Sequence, residues 1–162
     1  MTDEGVQQRS NALTSLDDLF RQIGRAPGPG DGINAPLDLR GADLAGLDLS
    51  MLHLLVVDFR GADLRQARFV EADVSDAHFD GANLTGATFA HADVSGACFD
   101  GATLAEAQLI HADASYATFT GTILHGASLH GADVSAADLA DALTDALTVL
   151  TNTTKDAQTR LP

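Results

Sequence analysis

The chain has 162 residues, of which 45% are hydrophobic, a net charge of −14 and one cysteine. That length suits one domain with one core, and the acidic balance disfavours direct nucleic-acid binding, which needs clustered basic and aromatic side chains. A lone cysteine excludes an internal disulfide, no apolar stretch approaches the ~20 residues that span a bilayer, and the start MTDEGVQQRS has no signal-peptide core, so a cytoplasmic protein without a membrane partner is expected.

Residues 1–36 read as a polar N-terminal segment, a short helix and a Pro/Gly linker. Within TSLDDLFRQIG, Leu16, Leu19, Phe20 and Ile23 recur at helical spacing, Thr14 or Ser15 serves as N-cap, and Gly24 stops the helix. This helix has two readings: a cap over the open strand edge that follows, or a docking helix for a partner or a second copy. RAPGPGDGINAP is the linker.

From Leu37 to Asp141 the chain repeats every five residues through twenty-one pentads, with no insertion or deletion. The third residue of each pentad, the centre, is always apolar. A spacing of five fits neither the helix period of 3.6 nor the strand period of two. The chain must therefore turn between centres so that all of them face one axis. Sorted by fours, Phe59, Phe79, Phe99 and Phe119 share one column and Leu44, Leu64, Leu84, Leu104 and Leu124 the next. Phe69 and Phe89 fall in the third, and Leu54, Val74, Val94, Ala114 and Val134 in the fourth. Four pentads thus make a square coil of twenty residues, stacked on its neighbours at the strand spacing of ~4.8 Å. The first residue of a pentad is usually Ala, small enough for a narrow interior. Gly41, Gly61, Gly81, Gly101 and Gly121 line one edge, where corner backbone favours positive φ.

These A(D/N)Lxx units resemble the pentapeptide-repeat family. The resemblance implies an all-β fold, a right-handed quadrilateral β-helix of about five coils, here with short N-terminal and C-terminal helices. Leu37, Leu47, Leu52 and Val57 depart from the small first residue, and Thr122-Ile123 replaces Ala-Asp; widened or capped coils are expected there. Ala114 is the one centre smaller than Val, which predicts a local gap or a narrowed coil.

Residues 142–162 close the chain as a C-terminal helix and polar tail. Ala142, Leu143, Ala146, Leu147 and Leu150 form an apolar stripe, with Leu143, Leu147 and Leu150 the candidate dimer or cap contact. The resemblance favours a homodimer here, because relatives often pair through this end.

Charge is unevenly placed. Residues 69–154 contain twelve carboxylates and no Lys or Arg, which reads as an uninterrupted acidic surface. In the fourth column Asp73, Asp93, Asp113 and Asp133 form a ladder beside Ser75, Ser95, Ser115 and Ser135, with Tyr116 exposed on the same side. Stacked like charges repel by roughly 1 kcal/mol even in water. The Asp side chains either accept turn hydrogen bonds or present a negative field to a basic partner.

His91, His111 and His130 cluster one coil apart, consistent with solvated surface residues, a pH-dependent charge or a zinc site; solvated residues are favoured, and neither metal nor cofactor is assigned. No nucleophile-base set, P-loop or dinucleotide fingerprint is present, so no catalytic residue is named. Two function classes follow: a non-enzymatic scaffold presenting a rigid acidic rod to a protein partner, or, by the resemblance, a DNA-mimicking decoy for DNA gyrase, another topoisomerase or another DNA-binding protein.

Overall fold

The computed structural model describes residues 37–162; the helix expected at 14–24 and its linker lie outside the described residues. Within them, the second residue of every pentad forms a parallel bridge to the residue twenty positions on, from Asp38–Asp58 through Ile123–Leu143. Each lap of four pentads is therefore one coil, and the coils stack as a quadrilateral β-helix. Coil 1 is 37–56, coil 2 57–76, coil 3 77–96, coil 4 97–116 and coil 5 117–136. Faces 1 to 4 take their bridging residues from the columns headed by Asp38, Asp43, Asp48 and His53.

The five N–H groups of a pentad explain its motif. In the pentad Ala92-Asp93-Val94-Ser95-Gly96, the first N–H closes a turn onto the previous centre, Ala92 to the Phe89 carbonyl at 3.0 Å. The second, third and fifth reach the neighbouring coils: Asp93 to Ala72 at 2.9 Å, Val94 to Asp113 at 2.8 Å and Gly96 to Ser115 at 2.8 Å. Only the fourth N–H finds no backbone carbonyl. The side chain two residues earlier supplies the acceptor, Asp93 Oδ1 at 2.9 Å from the Ser95 N–H. Buried or half-buried N–H groups demand partners, so a short acceptor, Asp or Asn, recurs at the second position.

Inside, the centres and first residues fill the square. Phe59, Phe79, Phe99 and Phe119 stack in parallel with centroids 4.9, 4.9 and 5.0 Å apart, and Phe69 stacks on Phe89 at 4.7 Å. The two columns meet edge-on, as in Phe59–Phe69 at 5.9 Å and 84°. Such pairs add about 1 kcal/mol each beyond burial. Alanines at the first position are almost wholly buried beside them.

Turn geometry is uniform. From Gly41 to Ala136 every fifth residue has positive φ, ten of them Gly and ten not, including Met51, Val56, Gln66 and Tyr116 at 57 to 60°. The five-glycine edge behaves as expected, with φ between 63 and 66°.

The expected irregularities resolve without widening. Leu37, Leu47, Leu52 and Val57 are buried, and coils 1 and 2 keep the twenty-residue bridges. Thr122 is fully buried in a normal coil, its hydroxyl donating to the Phe99 carbonyl at 2.7 Å. Ala114 lies in register: its N–H reaches the Asp133 carbonyl at 2.8 Å, and its carbonyl closes the turn with Ala117 at 3.2 Å.

The C-terminal helix is a correction. Residues 137–158 form a sixth coil, and Arg160 opens a seventh, through the bridges Ser128–Val149, Asp133–Thr154 and Asp138–Arg160. The pentad period broke for the sequence reading because two corners carry six residues, Leu143 to Val149 and Thr154 to Arg160. Both wide corners have the sequence Asp-Ala-x-Thr. Asp145 Oδ1 accepts from the Leu147 and Thr148 N–H groups at 3.0 and 2.9 Å, and from Gly126 in coil 5 at 3.0 Å. Thr148 Oγ1 accepts the Asp145 N–H and donates to the Leu124 carbonyl. Asp156 and Thr159 repeat the arrangement, with Ala136 N–H at 3.0 Å from Asp156 Oδ1. Leu147 is consequently an exposed corner residue, 72 %, Leu143 is a bridging residue 52 % exposed, and Leu150 is half-buried.

Three outcomes test this accounting. Asp93→Ala should cost about 1 kcal/mol by chemical denaturation through the lost Ser95 N–H acceptor, whereas Asp93→Asn should cost almost nothing; equal losses would refute the acceptor role. Ala114→Val, matching Val94 and Val134 in its column, should stabilise the fold by about 1 kcal/mol, and a lower melting temperature would mean the coil has already closed on the small side chain. Hydrogen bonds from the Gly126 and Ala136 N–H groups chiefly hold the Asp145 and Asp156 carboxyls below their ordinary 3.8. A depressed folded value contributes stability above the unfolded value and loses it as pH falls through the folded one. Amide exchange of Gly126 and Ala136 should therefore accelerate relative to Gly86 only below about pH 4; protection unchanged down to pH 2 would exclude carboxylate capping.

Candidate interaction surface

Face 4 brings the predicted ladder together. Asp73, Asp93, Asp113 and Asp133 bridge one another in successive coils. Each gives Oδ1 to its own turn, receiving the N–H of Ser75, Ser95, Ser115 and Ser135 at 3.2, 2.9, 2.9 and 2.9 Å. Ser75 and Ser95 add their hydroxyls at 2.8 and 2.6 Å. The Ser75 and Ser95 hydroxyls are therefore bound to the aspartates of their own pentads. Tyr116 is 69 % exposed on the corner of this face, with φ of 60° at the position Gly96 occupies one coil above.

The same hydrogen bond does not need a charge. In coil 3, Asn83 Oδ1 accepts the Thr85 N–H at 3.2 Å and its hydroxyl at 2.8 Å. A neutral side chain thus satisfies the turn, and four stacked aspartates exceed what the fold requires.

The acidic surface is not uninterrupted, which corrects the sequence reading. Face 4 carries the ladder with Asp76 at its far corner, and the adjoining face 1 carries Asp80, Asp100 and Asp138 with Asp141 at its edge. Faces 2 and 3 present Asn83, Thr85, Thr103, Thr88, Gln108 and Ser128, and of the twelve carboxylates only Glu71, Glu106 and Asp145 lie on these faces or their corners. Charge averaged along the sequence concealed this division, because it emerges only when pentads are sorted by face.

The arginines of the upper coils are neutralised. Arg40 pairs with Asp38 at 2.8 Å, Arg60 with Asp58 and Arg65 with Asp63, both at 2.6 Å, and Arg68 with Asp48 at 3.5 Å. Hydrogen bonds from Arg60 and Arg65 hold the Asp58 and Asp63 carboxyls below their ordinary value. The Arg40, Arg60 and Arg65 pairs are second-and-fourth pairs of one pentad, so the acceptor of the turn N–H also clamps the residue carrying it, whereas Arg68 reaches Asp48 across coils. Four arginines offset half of the eight carboxylates of coils 1 and 2.

Other candidates sort differently. His91 stacks on His111 at 5.3 Å and 18°, as their twenty-residue spacing predicts, and His111 meets His130, nineteen residues on, edge-on at 5.8 Å. Among the described residues no group of three or more His, Cys, Asp or Glu side chains is placed to hold a metal ion. Cys98 is half-buried; burial raises its thiol pKa, and the Thr118 hydroxyl donates to Sγ at 3.4 Å. No described helix is long and apolar enough to cross a membrane. The Asp-Ala-x-Thr corners were missed from sequence, although their recurrence eleven residues apart was the available signal.

The comparisons agree with this geometry. The pentapeptide repeats model matches residues 38–76, 67–104 and 102–141. No curated protein matches the chain. Among solved structures, AT2G44920, a pentapeptide repeat protein from the Arabidopsis thaliana thylakoid lumen, is 38% identical over 64% of this chain and 68% of its own, with a TM-score of 0.51. Rfr23 from the cyanobacterium Cyanothece 51142 is 21% identical over 74% and 91%, with a TM-score of 0.45. QnrB1, a plasmid-mediated fluoroquinolone resistance protein, is 20% identical over 72% and 79%, with a TM-score of 0.29. Repeat, bridge pattern and family match converge: the chain belongs to the pentapeptide repeat family of right-handed quadrilateral β-helices.

Proposed function

We propose that this protein is a non-enzymatic interaction scaffold of the cytoplasm, and that faces 4 and 1 engage a basic surface on a protein partner. One observation carries the reading: Asn83 makes the turn hydrogen bond without charge, yet face 4 uses Asp in four successive coils. Each stacked pair adds repulsion of roughly 1 kcal/mol at the dielectric of water. A surplus of charge that costs stability and rests on a rigid wall is suited to a complementary field. The sharper form of the reading is a DNA-mimicking decoy for DNA gyrase or another DNA-binding protein, favoured by the absence of Lys and Arg between residues 69 and 154.

The Asn substitution separates fold from field. In a gyrase supercoiling assay with and without a quinolone, the wild-type chain should change the outcome at micromolar concentration, less so as salt rises. Asp93→Asn/Asp113→Asn/Asp133→Asn should keep or raise its melting temperature, since the repulsion is relieved and the turn acceptor kept, and lose most of that effect. No effect from the wild type removes gyrase as the partner, and an equal effect from the triple variant removes the acidic face as the contact.

A further inference from the structure

Among the described residues of coils 1 to 5, the large hydrophobic side chains left exposed are Met51, Leu55, Val56 and Tyr116, at 70, 54, 39 and 69 %. All four lie on face 4 or at its two corners, beside the aspartate ladder. The fold does not ask for them there. Met51, Val56 and Tyr116 have φ of 60, 57 and 60°, where glycine is at no disadvantage and a β-branched residue is least at ease. Other coils fill the same places with polar or small residues: Glu71, Ser75 and Asp76 in coil 2, and His91, Ser95 and Gly96 in coil 3. Apolar side chains are thus gathered on the charged face against both solvation and backbone preference. They stand in two groups. Met51, Leu55 and Val56 belong to coil 1, and Tyr116 occupies the column of Val56 three coils below, roughly 15 Å along the rod at the strand spacing.

We infer that the two groups are apolar contacts that fix the position of a basic protein partner along the ladder, an inference that rests on the acidic-face reading proposed above. A column of like aspartates is degenerate by translation. A partner displaced by one coil still meets three of Asp73, Asp93, Asp113 and Asp133, and a field screened over about 8 Å does not resolve a step of about 5 Å. Charge therefore attracts and orients the partner but leaves its register open. Apolar burial is short-ranged, and Met51, Leu55, Val56 and Tyr116 have no apolar equivalents in coils 2 and 3, so only one register buries both groups. Large apolar and tyrosine side chains beside a charged strip are also where interface energy concentrates. The partner that fits this surface is a protein with Lys or Arg between two apolar side chains roughly 15 Å apart.

The probe is a fluorescein-labelled lysine peptide with two leucines five residues apart, roughly 16 Å when extended, compared with a counterpart of equal charge that has serines in their place. By fluorescence anisotropy the full wild-type chain should bind the leucine peptide at least about tenfold more tightly than the serine peptide, the ratio that burying part of each leucine supplies. In Leu55→Ser/Val56→Gly/Tyr116→Gly, which gives coils 1 and 4 the residues that coil 3 carries at these places, the ratio should fall to about one while the serine peptide binds as before. In Asp93→Asn/Asp113→Asn/Asp133→Asn both peptides should weaken together. A wild-type ratio near one, a ratio that survives in the apolar variant, or an equal gain from a peptide with adjacent leucines overturns the inference. Serine-peptide binding that is equal in the wild type and the asparagine variant removes the acidic-face reading itself, so the two failures are distinguishable.

Discussion

One N–H group per pentad governs this molecule. The vertical ladder takes the N–H groups of the second, third and fifth residues and the turn takes the first, so the fourth must be met by a side chain. The acceptor has to be short and two residues upstream, which selects Asp or Asn. The acidity of the chain is therefore rooted in its hydrogen-bond accounting before any partner is considered. In two pentads without Asp or Asn at the second position, the coil above supplies the acceptor: Ser50 Oγ accepts the Val70 N–H at 3.2 Å and Asp100 Oδ1 accepts the Thr120 N–H at 2.8 Å.

Stacking turns this local rule into columns. Each coil presents its side chains directly over those of the coil before, so a favourable choice is repeated and an unfavourable one is felt twice. Phe is retained through four coils of face 1 because ring spacing and coil rise coincide near 4.9 Å. Gly96 and Gly131 show the same coupling outside: a Cβ at either would lie 2.3 to 2.4 Å from Asp76 Oδ1 or His111 Nδ1 one coil away. Small corners thus allow the residue above to lean across.

How much was legible follows from which constraints are periodic. The centres, the glycine edge, the ladder Asp73–Asp133 and the histidine stack all obey the twenty-residue lap, and the structure places them where the spacing does. Coil 6 does not obey it. Leu143, Leu147 and Leu150 fall at intervals that also fit a helix, and tertiary pairing with coil 5 overrides that pattern once Asp145 and Asp156 bridge the wider corners. The division between charged and neutral faces escaped for another reason: adjacent residues in a pentad point to different surroundings, so a linear charge count mixes opposite sides of the rod.

The two ends of the stack are built differently, and this bears on the face-4 surface. In a solenoid each repeat contacts only its neighbours, so stability is approximately a sum of repeat and interface contributions and loss begins at the termini. Coil 6 is held to coil 5 partly by exposed carboxylates accepting backbone N–H groups, a device weaker and more pH-sensitive than the carbonyl ladder it replaces. Two of its centres, Thr144 and Lys155, are exposed, whereas those of coils 2 to 5 are all buried. Fraying therefore starts at coil 6 and reaches Asp133 before Asp113, Asp93 or Asp73. The middle of the ladder lies in the coils with the most continuous aromatic and aliphatic columns, so a partner that reads the spacing of Asp73, Asp93 and Asp113 meets the stiffest part of the rod.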